Sequence, residues 1–179
     1  MAIKTTKIDG LLIIEREVRG DERGFFLETH RMNELTEALG RKPEFVQQNH
    51  SRSAKNVLRG IHTAKWEKLV YCVRGEIFCA FVDTRADSQT FGAVEEIMIG
   101  EKNRVKIFIP IGVGNSMCVI SEYADYLYDV TDYYTPDGET ATQWNDPVLG
   151  INWPVAEPTL SQRDLDAKGF VEQFGEIKK

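Results

Sequence analysis

Short apolar runs that recur about every ten residues restrict the fold more than any other feature of this sequence. Residues 69–73 and 77–83 flank the turn-like triplet Arg74-Gly75-Glu76, and further runs follow at 94–99, 105–109, 117–120 and 126–130. Strands at this spacing are typical of β-sandwiches and barrels, whereas parallel α/β sheets alternate strands with helices. We therefore predict an all-β fold, with a jelly-roll barrel as its form and a few short peripheral helices.

Helix signals are scarce and predict only two short helices. Residues 33–39 carry apolar side chains at positions 35, 38 and 39 and are followed by Gly40, a common helix stop. A second helix is predicted from Ser161 through Ala167 to Gly169. It begins with an S-x-x-D pattern at Ser161 and Asp164, which is typical of helix N-caps.

Chain length and charge limit the class of protein. The 179 residues suit one domain, predicted to span residues 1–179, that buries a core without disulfides or metal. Lysine and arginine total 22 against 28 aspartate and glutamate, which gives a net charge of −6 without a basic cluster. Proteins that bind a nucleic-acid backbone normally carry positive charge, so nucleic acid is not expected as a partner.

The sequence also has few features of membrane or secreted proteins. Its longest uncharged stretch, residues 107–121, is short and is interrupted by Pro110, Gly112 and Gly114. The N-terminus has no apolar run of the kind found in signal peptides. Three cysteines, an odd number, lie in strand-like segments and are predicted to be buried free thiols. We therefore expect a cytoplasmic protein with no membrane partner.

Histidine content argues against a metal centre. The sequence contains only His30, His50 and His62, and no two lie at the short spacing of metal ligands on one strand. The strand after Gly75 reads Glu-Ile-Phe-Cys-Ala-Phe, which offers no ligand cluster either. We therefore predict no metal site.

Acid–base chemistry by side chains remains, and each candidate residue has a structural alternative. His62 can act as a base near neutral pH, but a histidine without a role fits the same pattern. Asp164 can orient that imidazole or merely cap a helix. Tyr126 and Tyr128 share one face of a predicted strand, where a phenol can donate a proton or fill the core. The cations that suit a phosphate, or are simply solvated surface charge, are Arg23, Arg59 and Lys68.

Eight segments form a pattern that is specific as a set, although no single segment is. They are residues 21–28 (DERGFFLE), 45–53 (FVQQNHSRS), 57–62 (VLRGIH), 87–92 (DSQTFG), 131–134 (TDYY), 144–147 (WNDP), 150–154 (GINWP) and 160–164 (LSQRD). In order, and over nearly the whole chain, they resemble the dTDP-4-dehydrorhamnose 3,5-epimerase family.

The resemblance implies a cupin-type barrel without metal or cofactor that epimerises a nucleotide-linked 4-keto-6-deoxy sugar for deoxysugar and surface-polysaccharide synthesis. It implies that His62 is the base, Asp164 its orienting carboxylate, Tyr128 the acid and Lys68 the cation that stabilises the enolate. It also implies a homodimer in which some nucleotide contacts reach the neighbouring subunit. The remaining substrate contacts it implies are Arg23, Phe26, Glu28, Gln47, Asn49, Arg59, Asn115 and Tyr134.

Two departures from the family pattern fall at the expected sugar pocket. Only residues 63–67 separate His62 from Lys68, where the family usually has a longer loop. Asn115 stands where the family usually has a histidine, and an amide cannot exchange a proton in the same pH range. We therefore expect an altered substrate or altered regiochemistry, which leaves open epimerisation at C3 alone or at C3 and C5. It also leaves open a dTDP, CDP or GDP nucleotide.

Two other functions are compatible with the same barrel. A 3,4-ketoisomerase also enolises its substrate but returns the proton to the same face, and retention of both His62 and Tyr128 argues against it. A catalytically silent nucleotide-sugar binding protein has no need to keep His62, Lys68, Tyr128 and Asp164 together.

Overall fold

The computed structural model describes residues 2–177, which fold mainly into antiparallel strands. In chain order the strands are β1 (Ala2–Thr5), β2 (Leu12–Glu15), β3 (Arg19–Asp21), β4 (Gly24–Phe26), β5 (Gln47–Ala54), β6 (Leu58–Ala64), β7 (Lys68–Arg74), β8 (Glu76–Asp83), β9 (Val94–Gly100), β10 (Lys106–Ile109), β11 (Val113–Val119), β12 (Tyr123–Val130) and β13 (Glu139–Ala141). The α-helices are α1 (Met32–Leu39), α2 (Gln162–Leu165) and α3 (Phe170–Phe174), and a 3₁₀ turn spans Pro136–Gly138.

Two sheets face each other across a shared core. One has six strands in the order β1-β2-β10-β7-β12-β5, the other has five in the order β13-β6-β11-β8-β9, and β3 and β4 form a separate hairpin. The non-sequential neighbours reflect crossings between the two sheets, as in a jelly roll. The all-β prediction is confirmed, in the form of a jelly-roll sandwich whose two sheets do not close into one continuous barrel.

Both faces of strand β8 are buried, which explains its unbroken apolar sequence. Ile77, Cys79 and Phe81 point into the central core between the sheets. Phe78 packs on the opposite face, where Trp153 meets its ring edge-on at 5.6 Å between centroids. A strand covered on both faces gains apolar burial at every residue, so the usual alternation of apolar and polar side chains is lost.

Peripheral segments cover the outer faces of both sheets. Leu35 of α1 packs with Leu12 and Phe108 on the six-stranded sheet. The segment after β13, which includes Trp144 and Trp153, covers the five-stranded sheet. The cysteines are buried and unpaired, as predicted: Cys72, Cys79 and Cys118. No helix within residues 2–177 is long and apolar enough to cross a membrane.

One helix prediction is confirmed and the other is wrong in its extent. Helix α1 ends before Gly40, whose φ of 68° is the left-handed conformation that glycine adopts without strain. The helix predicted for 161–169 ends at Leu165, because Lys168 forms an isolated bridge with Thr142 in extended conformation. Gly169 then caps the start of α3 instead of ending α2.

A bulge between β6 and β11 sets the direction of the side chains that will matter most. His62 lies opposite Asn115 and Arg59 lies opposite Met117, so three steps along β6 match two steps along β11. In a regular strand, residues three apart point to opposite faces. The extra residue brings Arg59 and His62 to the same, inner face of the sheet.

Gly60 permits this bulge for two reasons. Its φ is 125°, a conformation that side chains rarely adopt. A Cβ at this position would lie 2.6 Å from Cβ of Ser116 and 2.8 Å from the carbonyl oxygen of Asn115. Only a residue without a side chain lets β6 approach β11 this closely.

We expect Gly60→Ala to lower the free energy of unfolding by roughly 2–5 kcal/mol, because backbone strain and overpacking add at this site. Gly150→Ala is the matched control, since Gly150 also has positive φ (60°) but has no atom within 4 Å of an added Cβ. The control should cost only about 1 kcal/mol. Urea unfolding measures both values, and equal losses would show that the contact with Ser116 is unimportant.

Candidate active site

A cavity of about 190 Å³ lies between the two sheets and gathers most of the predicted reactive side chains. Strands β5, β7 and β12 form one wall, and β6, β11 and β13 form the other. The residues that line it are Ser51, Arg59, His62, Lys68, Asn115, Met117, Tyr126, Tyr128 and Glu139. Three of the four predicted catalytic residues therefore share one cavity, and the fourth, Asp164, contacts His62 from behind.

The His62–Asp164 contact fixes which imidazole nitrogen can act as a base. Nε2 of His62 lies 2.6 Å from Oδ1 of Asp164. Burial raises the pKa of Asp164, but the hydrogen bonds from His62 and Ser161, together with the positive charge of Arg163 and of His62 when it is protonated, leave the pKa below its ordinary value. A carboxylate only accepts hydrogen bonds, so Nε2 carries the hydrogen and Nδ1 keeps the lone pair.

The segment also contains the helix cap that was the alternative interpretation of Asp164, with Ser161 as the N-cap residue. The hydroxyl of Ser161 accepts a hydrogen bond from the backbone N–H of Asp164 at 3.2 Å and donates one to Oδ2 at 2.9 Å. The cap thus comes from the serine, and the carboxylate is oriented by it instead of being consumed in capping. Ser161 thus caps the first turn of helix α2 and at the same time orients the Asp164 carboxylate toward His62.

Lys68 is the buried cation of the cavity. Its side chain is 7% exposed, and its ammonium donates hydrogen bonds to Oδ1 of Asn115 and Oε1 of Glu139, both at 2.9 Å. Burial lowers the pKa of Lys68, while the charge and hydrogen bond of Glu139 raise it. An ammonium has three N–H donors, so one remains for an oxygen placed in the cavity.

Glu139 is a site residue that the sequence patterns missed. Its carboxylate contacts Lys68, accepts a hydrogen bond from Nη1 of Arg163 at 3.0 Å and lies 3.8 Å from Nδ1 of His62. Burial raises its pKa, but Lys68, His62 and Arg163 together lower it below the ordinary value. No spacing rule links Glu139 to Lys68, 71 positions away; its nearness to the 144–147 segment was the only available signal.

Tyr128 has the form required of a proton donor. It is half-buried on β12, and its ring lies 5.7 Å from that of Tyr126 on the same face of the strand. Burial raises the pKa of Tyr128, the charge of Glu139 raises it further, and Arg59 partly offsets this. The phenol therefore stays protonated at neutral pH.

Two predicted contacts, Arg59 and Asn115, also line this cavity. Arg59 is exposed and donates a hydrogen bond from Nε to the hydroxyl of Ser53 at 3.0 Å. Its remaining guanidinium donors are free for an anion at the cavity mouth. Asn115 must turn its oxygen toward the Lys68 ammonium, so its amide N–H₂ is the group that a ligand meets.

A second cavity adjoins the first and contains three further predicted contacts. Its volume is also about 190 Å³, and it shares Tyr128 and Glu139 with its neighbour. The other lining residues are Gln47, Asn49, Trp66, Val130 and Tyr134. Gln47 donates a hydrogen bond to Asn49 at 2.8 Å, and Trp66 meets Tyr134 edge-on at 6.1 Å between centroids. Amides beside aromatic rings suit a planar heterocycle.

The structure does not bring the remaining three predicted contacts to these cavities. Arg23 and Phe26 lie on or beside the β3–β4 hairpin and Glu28 follows it, where they line separate surface depressions. Arg23 pairs with Asp21, and Phe26 is 64% exposed. Within one chain these side chains have no part in the His62 cavity.

The described residues contain no cluster suited to a metal ion. Across positions 2–177, no group of three or more histidine, cysteine, aspartate or glutamate side chains is arranged to hold one.

Comparison with known proteins agrees with this geometry. Residues 5–172 match the family described as dTDP-4-dehydrorhamnose 3,5-epimerase. A protein of that name from Salmonella typhimurium is 44% identical over 172 residues, covering 93% of this chain and 94% of that protein. A relative from Streptomyces niveus, named dTDP-4-dehydrorhamnose 3-epimerase, is 36% identical and covers 93% of this chain and 83% of its own length.

Solved structures give the same result for the fold. The Legionella pneumophila 3,5-epimerase, in complex with dTDP-4-keto-L-rhamnose, has a TM-score of 0.89 and 39% identity, and 99% of each chain is covered. NovW, a 4-keto-6-deoxy sugar epimerase from Streptomyces spheroides, has a TM-score of 0.93 and 36% identity over 96% of this chain and 88% of its own. The chain therefore belongs to the dTDP-4-dehydrorhamnose 3,5-epimerase family of isomerases, as the sequence resemblance predicted.

Proposed function

We propose that this protein inverts the configuration beside the ketone of a dTDP-linked 4-keto-6-deoxy sugar, at C3 or at both C3 and C5. The observation that carries the proposal is that His62, Tyr128 and Lys68 line one cavity, with Asp164 in contact with His62 from behind. A base, an acid and a cation are what an enolisation with inversion requires.

The reaction follows from the chemistry of the ketone. The C4 carbonyl acidifies the C–H bonds at C3 and C5, and Nδ1 of His62 takes one of these protons. The electron pair moves onto the C4 oxygen, which the free N–H of Lys68 stabilises. Tyr128 then returns a proton to carbon from the opposite face, and the C4 carbonyl re-forms. A proton taken by His62 and one given by Tyr128 leave the substrate's composition unchanged. His62 ends protonated and Tyr128 ionised, and proton exchange with solvent returns both to their starting forms.

The two other functions considered above are not favoured. A ketoisomerase returns the proton to the face from which it was removed, so it needs no separate acid such as Tyr128. A silent binding protein gains nothing from a buried ammonium held ready in the cavity, because burying a charge costs free energy. The relatives described above carry epimerase names.

Two features support the choice of nucleotide and leave the number of inverted carbons to experiment. The second cavity, with its amides and aromatic rings, shares Tyr128 and Glu139 with the cavity that contains His62. The relatives' names specify dTDP. Among those relatives both 3,5- and 3-epimerases occur. The short 63–67 loop and Asn115 are the differences through which regiochemistry can change.

The first test is proton exchange in D₂O with the dTDP-, CDP- and GDP-linked 4-keto-6-deoxy sugars. We expect deuterium to enter the dTDP sugar, at C3 for a 3-epimerase and at C3 and C5 for a 3,5-epimerase, as read by NMR. No exchange with any of the three would refute the proposal, and exchange only with a CDP or GDP sugar would correct the nucleotide.

Two variants separate the base from the acid in the same assay. His62→Ala should reduce exchange by about 10³-fold or more, because the proton-accepting nitrogen is lost. Tyr128→Phe should still exchange the proton at C3 but invert it at least 10²-fold more slowly. Inversion at the wild-type rate by Tyr128→Phe would mean that another group is the acid.

Asp164→Asn tests whether the carboxylate orients His62 or only belongs to the helix. We expect kcat to fall by about 10²–10⁴-fold with KM nearly unchanged, since the amide no longer holds the required tautomer. Ser161→Ala is the control for the cap and should lower stability by about 1 kcal/mol with a much smaller effect on kcat. An unchanged kcat in Asp164→Asn would leave the residue with a structural role alone.

We further propose that the protein works as a cytoplasmic homodimer, with each chain acting as one domain, in deoxysugar synthesis for a surface polysaccharide. The support is the β3–β4 hairpin, where Phe25 and Phe26 are more than half exposed and Arg23 lies outside its own chain's cavity. Two exposed apolar rings on one hairpin favour contact with a second copy.

Sedimentation equilibrium should therefore give twice the mass of one chain. Phe26→Ser combined with Arg23→Ser should shift the protein toward monomer and raise KM for the nucleotide sugar, because the partner's cavity loses contacts. The exposed ion pair Lys4–Glu15 provides a control: Lys4→Ser should change neither mass nor KM. A monomeric wild-type protein would overturn this assembly.

A further inference from the structure

The Glu139 carboxylate lies between the cations Lys68 and Arg163 and close to the imidazole of His62, with a different hydrogen-bond partner at each oxygen. Oε1 accepts a hydrogen bond from Lys68 at 2.9 Å. Oε2 accepts one from Nη1 of Arg163 at 3.0 Å, and Nη2 of Arg163 donates to the Glu139 backbone carbonyl at 3.1 Å. Oε2 also lies 3.8 Å from Nδ1 of His62, too far for a hydrogen bond.

Arg163 and His62 compete for Oε2 of Glu139. Nδ1 is the nitrogen that must keep its lone pair if His62 is to accept a proton. A carboxylate oxygen within hydrogen-bond distance of Nδ1 stabilises the protonated ring and makes the base hard to regenerate. The guanidinium of Arg163 donates one hydrogen bond to Oε2 and a second to the Glu139 backbone carbonyl, which holds Oε2 at a non-bonding distance from the imidazole.

The contact at Oε1 of Glu139 affects the protonation state of Lys68. Lys68 is almost wholly buried, and a buried ammonium tends to lose its proton. Asn115, its other partner, is neutral. Glu139 is the one carboxylate in direct contact with Lys68 among the described residues, so the ammonium form depends on it.

We propose that Glu139 is a positioning residue which keeps Lys68 in its ammonium form, and that Arg163 restrains it so that Nδ1 of His62 stays free to accept the proton. This rests on the proposed roles of His62 and Lys68. Arg163 stands next to Asp164 in the chain, so helix α2 sends one residue to each side of the imidazole. The charged or titratable groups that face this cluster are Asp164, Tyr128, Arg59 and Tyr134.

The two residues predict opposite shifts of the pH–rate profile. In Glu139→Gln, Lys68 loses its anionic partner and its proton is lost at lower pH, so the alkaline limb should move down by about 1 pH unit or more. In Arg163→Gln, Oε2 is released toward the imidazole and stabilises its protonated form. The acid limb should then move up by about 1 pH unit.

The double variant Glu139→Gln/Arg163→Gln separates this from general damage to the site. Without the carboxylate, the loss of Arg163 has nothing to release, so the acid limb should return to the wild-type position while the alkaline limb stays low. The matched controls are Glu172→Gln and Lys168→Gln, which remove the same charges from an exposed ion pair nearby. Both controls should keep the wild-type profile.

The measurement is the rate of C3 deuterium exchange from pH 5 to 10, for all variants and the wild type. The expected result is a lowered alkaline limb in Glu139→Gln, a raised acid limb in Arg163→Gln, and a lowered alkaline limb with a wild-type acid limb in the double variant. Lower rates with both limbs unmoved would overturn the proposal and leave Glu139 a structural or substrate-contact residue. If the wild type itself exchanges no proton, the function proposed above fails instead, so the two failures are distinguishable.

Discussion

The close approach of β6 to β11 at Gly60 is the constraint on which the site depends. Because no side chain stands between Gly60 and Ser116, one strand can carry an extra residue past the other. Arg59 and His62, three positions apart, then face the same cavity. A regular ladder would point one of them at the C-terminal covering segment, and the base and the anion contact would lie on different sides of the sheet.

The cavity is held in shape by charges that the fold buries in matched sets. Lys68, Glu139 and Asp164 are each at most 11% exposed in their side chains, and each has a partner of opposite charge or potential charge. Removing any one leaves an uncompensated charge in a poorly hydrated place, which is costly. The same arrangement that satisfies burial also sets protonation states, so stability and reactivity rest on shared contacts.

The sequence predicted strands where apolar side chains form a continuous run and missed them where polar residues or glycines interrupt the run. The buried runs in β7 and β8 revealed the sandwich because apolar burial on both faces leaves a continuous signal. Strand β5, with the polar sequence QQNHSRSA, and strand β6 carried no such signal and were not predicted as strands. Strand β11 begins at Val113, four residues before the predicted run. The prediction missed these residues because Gly112 and Gly114 resemble a turn.

The site was predictable only in part. His62, Tyr128, Lys68 and Asp164 lie in segments with a recognisable order, and three of them line the cavity directly. Residue spacing could not separate the two readings of Asp164, because the serine that caps the helix also orients the carboxylate. Glu139 and Arg163 meet only through the tertiary fold. Their pairing depends on how β13 and α2 dock, which local sequence does not encode.

The Asp164–His62 hydrogen bond joins residues 102 positions apart, and it is reached through a covering segment with little regular structure. Closing a loop of that length costs conformational entropy, which the packing of the covering segment must offset. Local opening of that segment is therefore enough to disable the base while the core of the sandwich stays packed. Activity in this chain consequently depends on the docking of its C-terminal quarter as well as on the sandwich itself.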